Sequence, residues 1–153
     1  MRAEDRVRAV VEFGFTPRQA RFLVVVMRYA GICLLRQYST FAGIVQEQKT
    51  RAFFRKLVDR GFASSYACRH NRGRLYHVHH VALYRAIEEP NSAYRRPVTA
   101  ARVAERLMIL DAILMNPLDR DARAVIERPI GASLGDHRRY RRSAPCAGAR
   151  SPR

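Results

Sequence analysis

Acidic residues are scarce in this chain: 13 Asp and Glu stand against 29 Lys and Arg, leaving a formal net charge of +16 over 153 residues. A surplus of that size excludes indifference to polyanions. It attracts nucleic acid first and an anionic membrane surface second. Lysine is nearly missing as well, occurring only as Lys49 and Lys56. Arginine carries the rest of the charge. Its planar guanidinium suits bidentate phosphate and guanine contacts, although a GC-rich genome favours arginine codons equally well. Cysteine is sparse, and Cys33, Cys68 and Cys146 are far apart and odd in number. That argues against a disulfide framework and for a reducing compartment. The greasiest stretch, Phe22 to Leu35, is interrupted by Arg28 and falls short of the ~20 residues a membrane span needs. Met1 to Arg6 lack the apolar core of a signal peptide, so a soluble, cytoplasmic protein is expected. There is no paired-carboxylate site, phosphate-binding glycine loop or nucleophile elbow, so neither catalysis nor a cofactor is expected.

What is present is enough for a core. Apolar residues make up 48% of the chain, which suits one domain with extensions. Residues 1–14 read as a mixed-charge leader with a short helix through Val7, Val10 and Val11. Thr16-Pro17-Arg18-Gln19 then supplies a helix start: Thr16 as N-cap, Pro17 at the first helical position, Gln19 reaching back. Phe22, Val25, Val26 and Tyr29 keep one face of that helix apolar until Gly31 stops it. Ile32 to Leu34 read as a brief strand, and a short helix over residues 35–42 buries Leu35, Tyr38 and Phe41. Gly43 gives the tight turn between the two helices of a helix-turn-helix. The second of these, from about Val45 to Arg60, turns Thr50, Phe53, Phe54, Leu57 and Val58 inward and ends at Gly61. There the period changes from helical to alternating. Residues 62–68 and 75–78 pair as a hairpin across Arg69 to Arg74, before a helix through Val81, Leu83, Tyr84 and Ile87. After the basic loop Arg95-Arg96-Pro97, a helix from Thr99 to Met115 repeats Val103, Leu107, Leu110 and Leu114.

This order predicts a mainly α fold with a small β-hairpin, a winged helix-turn-helix over residues 15–90. Residues 91–119 add a linker and a packing or dimerisation helix. Residues 120–153 read as an Arg/Pro/Ala-rich basic tail, including Arg138-Arg139-Tyr140-Arg141-Arg142, and are expected to be disordered. Such a medley is also what an out-of-frame GC-rich sequence encodes.

In a winged helix-turn-helix, the N-terminal half of the second helix lies in the major groove. Here Gln46 and Gln48 can pair bidentately with adenine, and Lys49, Arg51, Arg55 and Lys56 can reach guanine or phosphate. Ala52 is small enough for close approach. The hairpin tip, with Arg69, His70, Asn71, Arg72 and Arg74 and no acid, suits a wing along the backbone or in the minor groove. The histidines offer competing readings. Cys68, His70, His77, His79 and His80 are metal-ligand types, with Cys68 and His77 facing across the hairpin, but their spacing matches no zinc signature. His77-Val78-His79 also spells the core of single-strand nicking enzymes, in which a tyrosine, here Tyr84, attacks phosphate. That chemistry needs a larger sheet than this chain offers. The plainer reading packs Tyr76 and Val78 inward and points His77 and His79 outward near phosphates.

The stretch Phe53-Phe54-Arg55-Lys56-Leu57-Val58-Asp59-Arg60-Gly61-Phe62, followed by Leu75-Tyr76-His77-Val78, resembles a run found in winged-helix regulators of the MarR and PadR kind. The likeness covers about residues 16–87. Residues 15–115 as a whole resemble small proteins of bacterial integrative and conjugative elements, similar in layout to the winged-helix replication-relaxation proteins. The resemblance implies double-stranded DNA binding by a transcriptional regulator or a replication and maintenance factor of a mobile element. The basic tail departs from that pattern. Expected partners are double-stranded DNA and, through the Thr99 to Met115 helix, a second copy. The alternatives are a metal-dependent nicking or relaxation enzyme using His77, His79 and Tyr84, and a basic module that binds an acidic protein.

Overall fold

Phe22, Leu23, Val24, Val25, Val26 and Met27 are all fully buried, so the helix that carries them is covered on every side. This is α2 (Pro17–Tyr29) of a computed structural model that describes residues 1–68, 73–116 and 120–126. The one-faced reading of that helix is corrected here, because Leu23, Val24 and Met27 are as deeply buried as Phe22, Val25 and Val26. α1 (Ala3–Val11), β1 (Ile32–Leu34), α3 (Leu35–Ala42), α6 (Ala100–Met115) and α7 (Arg120–Ile126) all pack against α2. Its start is the expected capping box. The Gln19 N–H donates to Thr16 Oγ1 at 3.2 Å, and the Thr16 N–H donates to Gln19 Oε1 at 3.1 Å.

The remaining elements are α4 (Glu47–Asp59), β2 (Ala63–Ala67), β3 (Arg74–Val78), α5 (Val81–Ala86) and a 3-10 turn over Ala93–Arg95. The fold is therefore mainly helical with a small antiparallel sheet, in the order β1-β3-β2, an arrangement compatible with a winged-helix layout. The sequence left β1 unpaired. In the structure it joins the hairpin, with Ile32 opposite His77 and Cys33 opposite Tyr76. Alternation along β3 sends Tyr76 toward α4, where its ring centroid lies 4.4 Å from that of Phe54, and sends His77 to the other side. Phe53 and Phe54 extend the stack to Tyr38, at 4.5 and 6.0 Å between centroids. Aromatic rings thus tie α3, α4 and the sheet into one core.

Several boundaries differ from expectation. The leader is not separate from the core, since Val7 and Val10 of α1 are buried against α2 and α7. Val58 is 36% exposed, because it lies on the flank of α4 and not on its inner face. Val81, at the open start of α5, is exposed as well. Residues 120–126 are not tail: Ala122 and Val125 are buried, and Arg21 Nη1 donates to the Val125 carbonyl at 2.9 Å. Their short apolar stripe finds a ready groove between α1 and α2. Residues 127–153, where the rest of the expected tail falls, lie outside the described residues.

α6 is fixed to this body by polar as well as apolar contacts. Leu110 is fully buried, while Val103, Leu107 and Leu114 are half-buried. Buried Gln37 accepts from the Leu34 N–H at 2.9 Å and donates to the Leu107 carbonyl at 3.1 Å and to Asp111 Oδ1 at 3.0 Å. Arg36 holds the same carboxylate with two bonds, at 3.0 and 2.9 Å. Among the described residues no helix is long and apolar enough to cross a membrane.

Gly31 has φ +74°, and a Cβ there would meet the carbonyl oxygen of Tyr94 and come within 2.8 Å of its Cβ. Gly43 has φ +64° with open space around it. Replacing Gly31 by Ala is therefore expected to cost about 2–4 kcal/mol, combining left-handed strain with overpacking. Replacing Gly43 by Ala is expected to cost only the strain, about 1–2 kcal/mol. Denaturant unfolding of both variants checks the difference.

Candidate nucleic-acid interface

Gly43 closes α3 in the left-handed conformation, its N–H reaching the Ser39 and Thr40 carbonyls. One turn later α4 begins, with Gln46 as its N-cap. Ser39 Oγ and Thr50 Oγ1 lie 3.0 Å apart across the two helices and fix their angle. Arg18 Nη1 donates to the Ala42 carbonyl at 3.1 Å, tying the end of α3 to the start of α2.

At about 100° per residue, the outward centre of α4 is the stripe Gln48, Ala52, Arg55 and Asp59. Lys49 and Lys56 form one flank, and Glu47, Arg51 and Val58 the other. Gln46, Gln48, Lys49, Arg51, Ala52 and Arg55 are all exposed, whereas Lys56 is half-buried. Their engagements divide the set. Arg51 donates from Nε and Nη2 to Glu47 Oε1 at 3.1 and 2.6 Å. Lys56 Nζ donates to the Gly14 carbonyl and stands 5.1 Å from the centre of the Phe15 ring. Arg60 Nη1 donates to the Phe13 carbonyl at 2.8 Å. Lys56 and Arg60 thus clamp the α1–α2 turn, a structural task that sequence reasoning did not assign to Lys56. Gln48, Lys49 and Arg55 have no such ties among the described residues.

The Lys49 flank borders an open groove of about 1210 Å³ shared with the start of α2 and the end of α6. The Arg51 flank leads to the hairpin. Burial pushes the Tyr76 hydroxyl pKa upward, and the Arg74 and Arg51 guanidiniums partly restrain that rise. The charges of Arg51 on α4 and Arg74 on β3 are thus both felt at the Tyr76 hydroxyl. Arg74 is exposed, and its Nη1 donates to Ser65 Oγ at 3.0 Å. The Cys68 N–H donates to the Gly73 carbonyl at 2.9 Å and closes the neck of the hairpin. Arg69, His70, Asn71 and Arg72 lie outside the described residues. Two exposed residues escaped the sequence reading. Val45 is 96% exposed in the turn before α4, and Tyr66 is half exposed on β2. An apolar residue between a turn glycine and a polar helix start was the available signal for the first.

The histidines depart from expectation. His77 does not point outward near phosphates: it is buried, and its Nε2 donates to the Tyr94 carbonyl at 2.9 Å. The 3-10 turn and α6 cover that side of the sheet. His77 stands opposite Ser64 and Ile32 in the ladder, so it does not face Cys68. His79 Nε2 lies 2.8 Å from Ser64 Oγ, and His80 accepts from the Ala82 N–H at 3.3 Å as the cap of α5. Among the described residues no three His, Cys, Asp or Glu converge on a point where a metal ion can sit. Tyr84 is fully buried and donates its hydroxyl proton to the Val78 carbonyl at 3.0 Å. In that position it cannot reach a phosphate. Cys33 is equally enclosed, and burial pushes its thiol pKa far up.

Burial holds the His77 pKa below its ordinary value, with His79 and Arg106 adding to the depression and the Tyr94 carbonyl opposing it. Burial lowers His79 too, helped by His80 and Arg95. The unfolded chain therefore takes up protons at a higher pH than the folded one, so stability falls as pH drops through and below the ordinary histidine value. The Asp111 carboxyl, held below its ordinary value by Arg36, loses its pairing only at more acid pH. Thermal unfolding is expected to show a lower Tm at about pH 5 than at about pH 7.5. The drop should shrink in His77→Gln.

Comparison with known proteins gives no match: no family model fits the chain, and no curated protein or solved structure is significantly similar to it.

Proposed function

We propose that this chain is a non-catalytic protein that binds double-stranded DNA as a winged helix-turn-helix, acting in transcription regulation or in replication and maintenance of a mobile element. The observation that carries the reading is the outward face of α4, where Gln48, Lys49, Ala52 and Arg55 lie together and exposed on a chain of net charge +16. Gln48 presents an amide that fits adenine, and Lys49 and Arg55 reach guanine or phosphate. Val45 offers an apolar contact to a thymine methyl. Arg51 is released from an exposed i, i+4 pair that costs little to break. Arg74 takes backbone phosphate beside it. The buried Tyr84 hydroxyl weighs against the nicking alternative.

Fluorescence anisotropy with labelled duplex tests this. With on the order of five phosphate contacts, log affinity is expected to fall against log salt with a slope of about −4 to −5, and a flat response overturns the reading. Gln48→Ala or Lys49→Ala should relax sequence preference. Arg74→Ala should weaken all sequences alike and reduce the slope by about 1. Lys56→Ala should lower stability more than specificity, because that side chain holds the α1–α2 turn. If the basic surface serves an acidic protein instead, duplex DNA will not compete for it.

A further inference from the structure

α6 shows two apolar faces. One is packed on the body of the protein. The other carries Ala101, Ala104, Met108, Ala112 and Met115, every one of them exposed, with Met108 at 70%, Met115 at 83% and neighbouring Ile109 at 41%. A helix lying on a folded domain ordinarily turns charged residues outward, as α4 does. Here a solvated methionine–alanine stripe needs a cover.

We propose that the cover is a second copy of this chain, paired antiparallel through α6 about a two-fold axis at Met108. Two observations select a second copy over an unrelated partner. The stripe is spaced three, four, four and three residues apart, symmetric about Met108. An antiparallel copy then sets Met108 on itself, Ala104 on the partner's Ala112 and Ala101 on the partner's Met115. Each small residue at an end meets a large one, and the central alanines let the backbones approach closely. The second observation is charge. Arg102, Glu105, Arg106 and Asp111 leave α6 neutral in a chain of +16, so two copies can meet there without bringing strongly cationic surfaces together. A two-fold interface is self-complementary by construction, and this sequence spacing supplies that property. One helix face is a small interface, consistent with a dissociation constant on the order of 10 µM. The pairing rests on α6 alone and not on DNA binding.

Sedimentation velocity of the full chain across concentration tests the pairing, with Cys68→Ser and Cys146→Ser keeping those thiols out. A concentration-dependent dimer is expected. Met108→Glu should abolish it while leaving circular dichroism and the Tm measured well below the dimer constant unchanged, since that side chain points to solvent in the monomer. Cysteine cross-linking reads the register without relying on that variant. Met108→Cys should form a disulfide-linked dimer. Ala101→Cys and Met115→Cys should cross-link when one chain carries both or when the two single variants are mixed, but neither alone, because in the antiparallel dimer each single thiol stands roughly 21 Å from its own copy. A monomer at every concentration up to about 100 µM, well above the expected constant, overturns the proposal. So does cross-linking by Ala101→Cys alone.

Discussion

A helix with no solvent-facing side governs this structure. Phe22 to Met27 are buried all round, and a helix of that kind is stable only when other elements enclose it. α1 and α7 close one side, α3 and α6 another, and β1 leads directly out of its C-terminal glycine into the sheet. The elements gathered around α2 had to bring apolar faces inward, and that requirement fixes which faces remain for solvent. α4 lies at one remove from α2, reaching it through the aromatic stack of Phe22, Tyr38 and Phe53. Its outer half is therefore free to be polar and cationic.

The cations of the molecule divide by the company they keep. Arg18, Arg21, Arg36, Lys56 and Arg60 are bound to carbonyls or carboxylates that hold elements together. Lys49 and Arg55 stand clear of such ties among the described residues, on the outward face of α4. A large positive charge does not by itself locate an interface. The engaged cations show that part of the surplus goes into building the fold, and Lys49 and Arg55 are left exposed on α4.

Much of this was legible in the sequence because it is written locally. The Thr16 capping box, the left-handed Gly43 and the change of period after Gly61 depend on residues within a turn of one another, so their chemistry can be read without a partner. The same holds for the polar stripe of α4, whose members share a face by helical geometry alone. What was misread depends on distant neighbours. Nothing near His77 announces that Tyr94 will cover it, and a histidine beside a basic turn looks solvent-facing until the 3-10 turn folds over the sheet. Lys56 resembles its neighbours on α4 in the sequence, because the Gly14 carbonyl it binds is 42 positions away. Ala122 and Val125 looked too sparse to pack because the groove between α1 and α2 that receives them is invisible in sequence. β1 is legible in Ile32 to Leu34, but β3, the strand it pairs with, lies far along the chain.

The claim with most depending on it is that duplex DNA meets the outward face of α4. Photocrosslinking from a benzophenone amino acid at position 48, with the same group at position 104 on α6 as the control, interrogates that face directly. The account predicts that irradiation with duplex DNA gives a covalent protein–DNA product from position 48 and none from position 104. Equal crosslinking from both positions, or a product from position 104 alone, contradicts it.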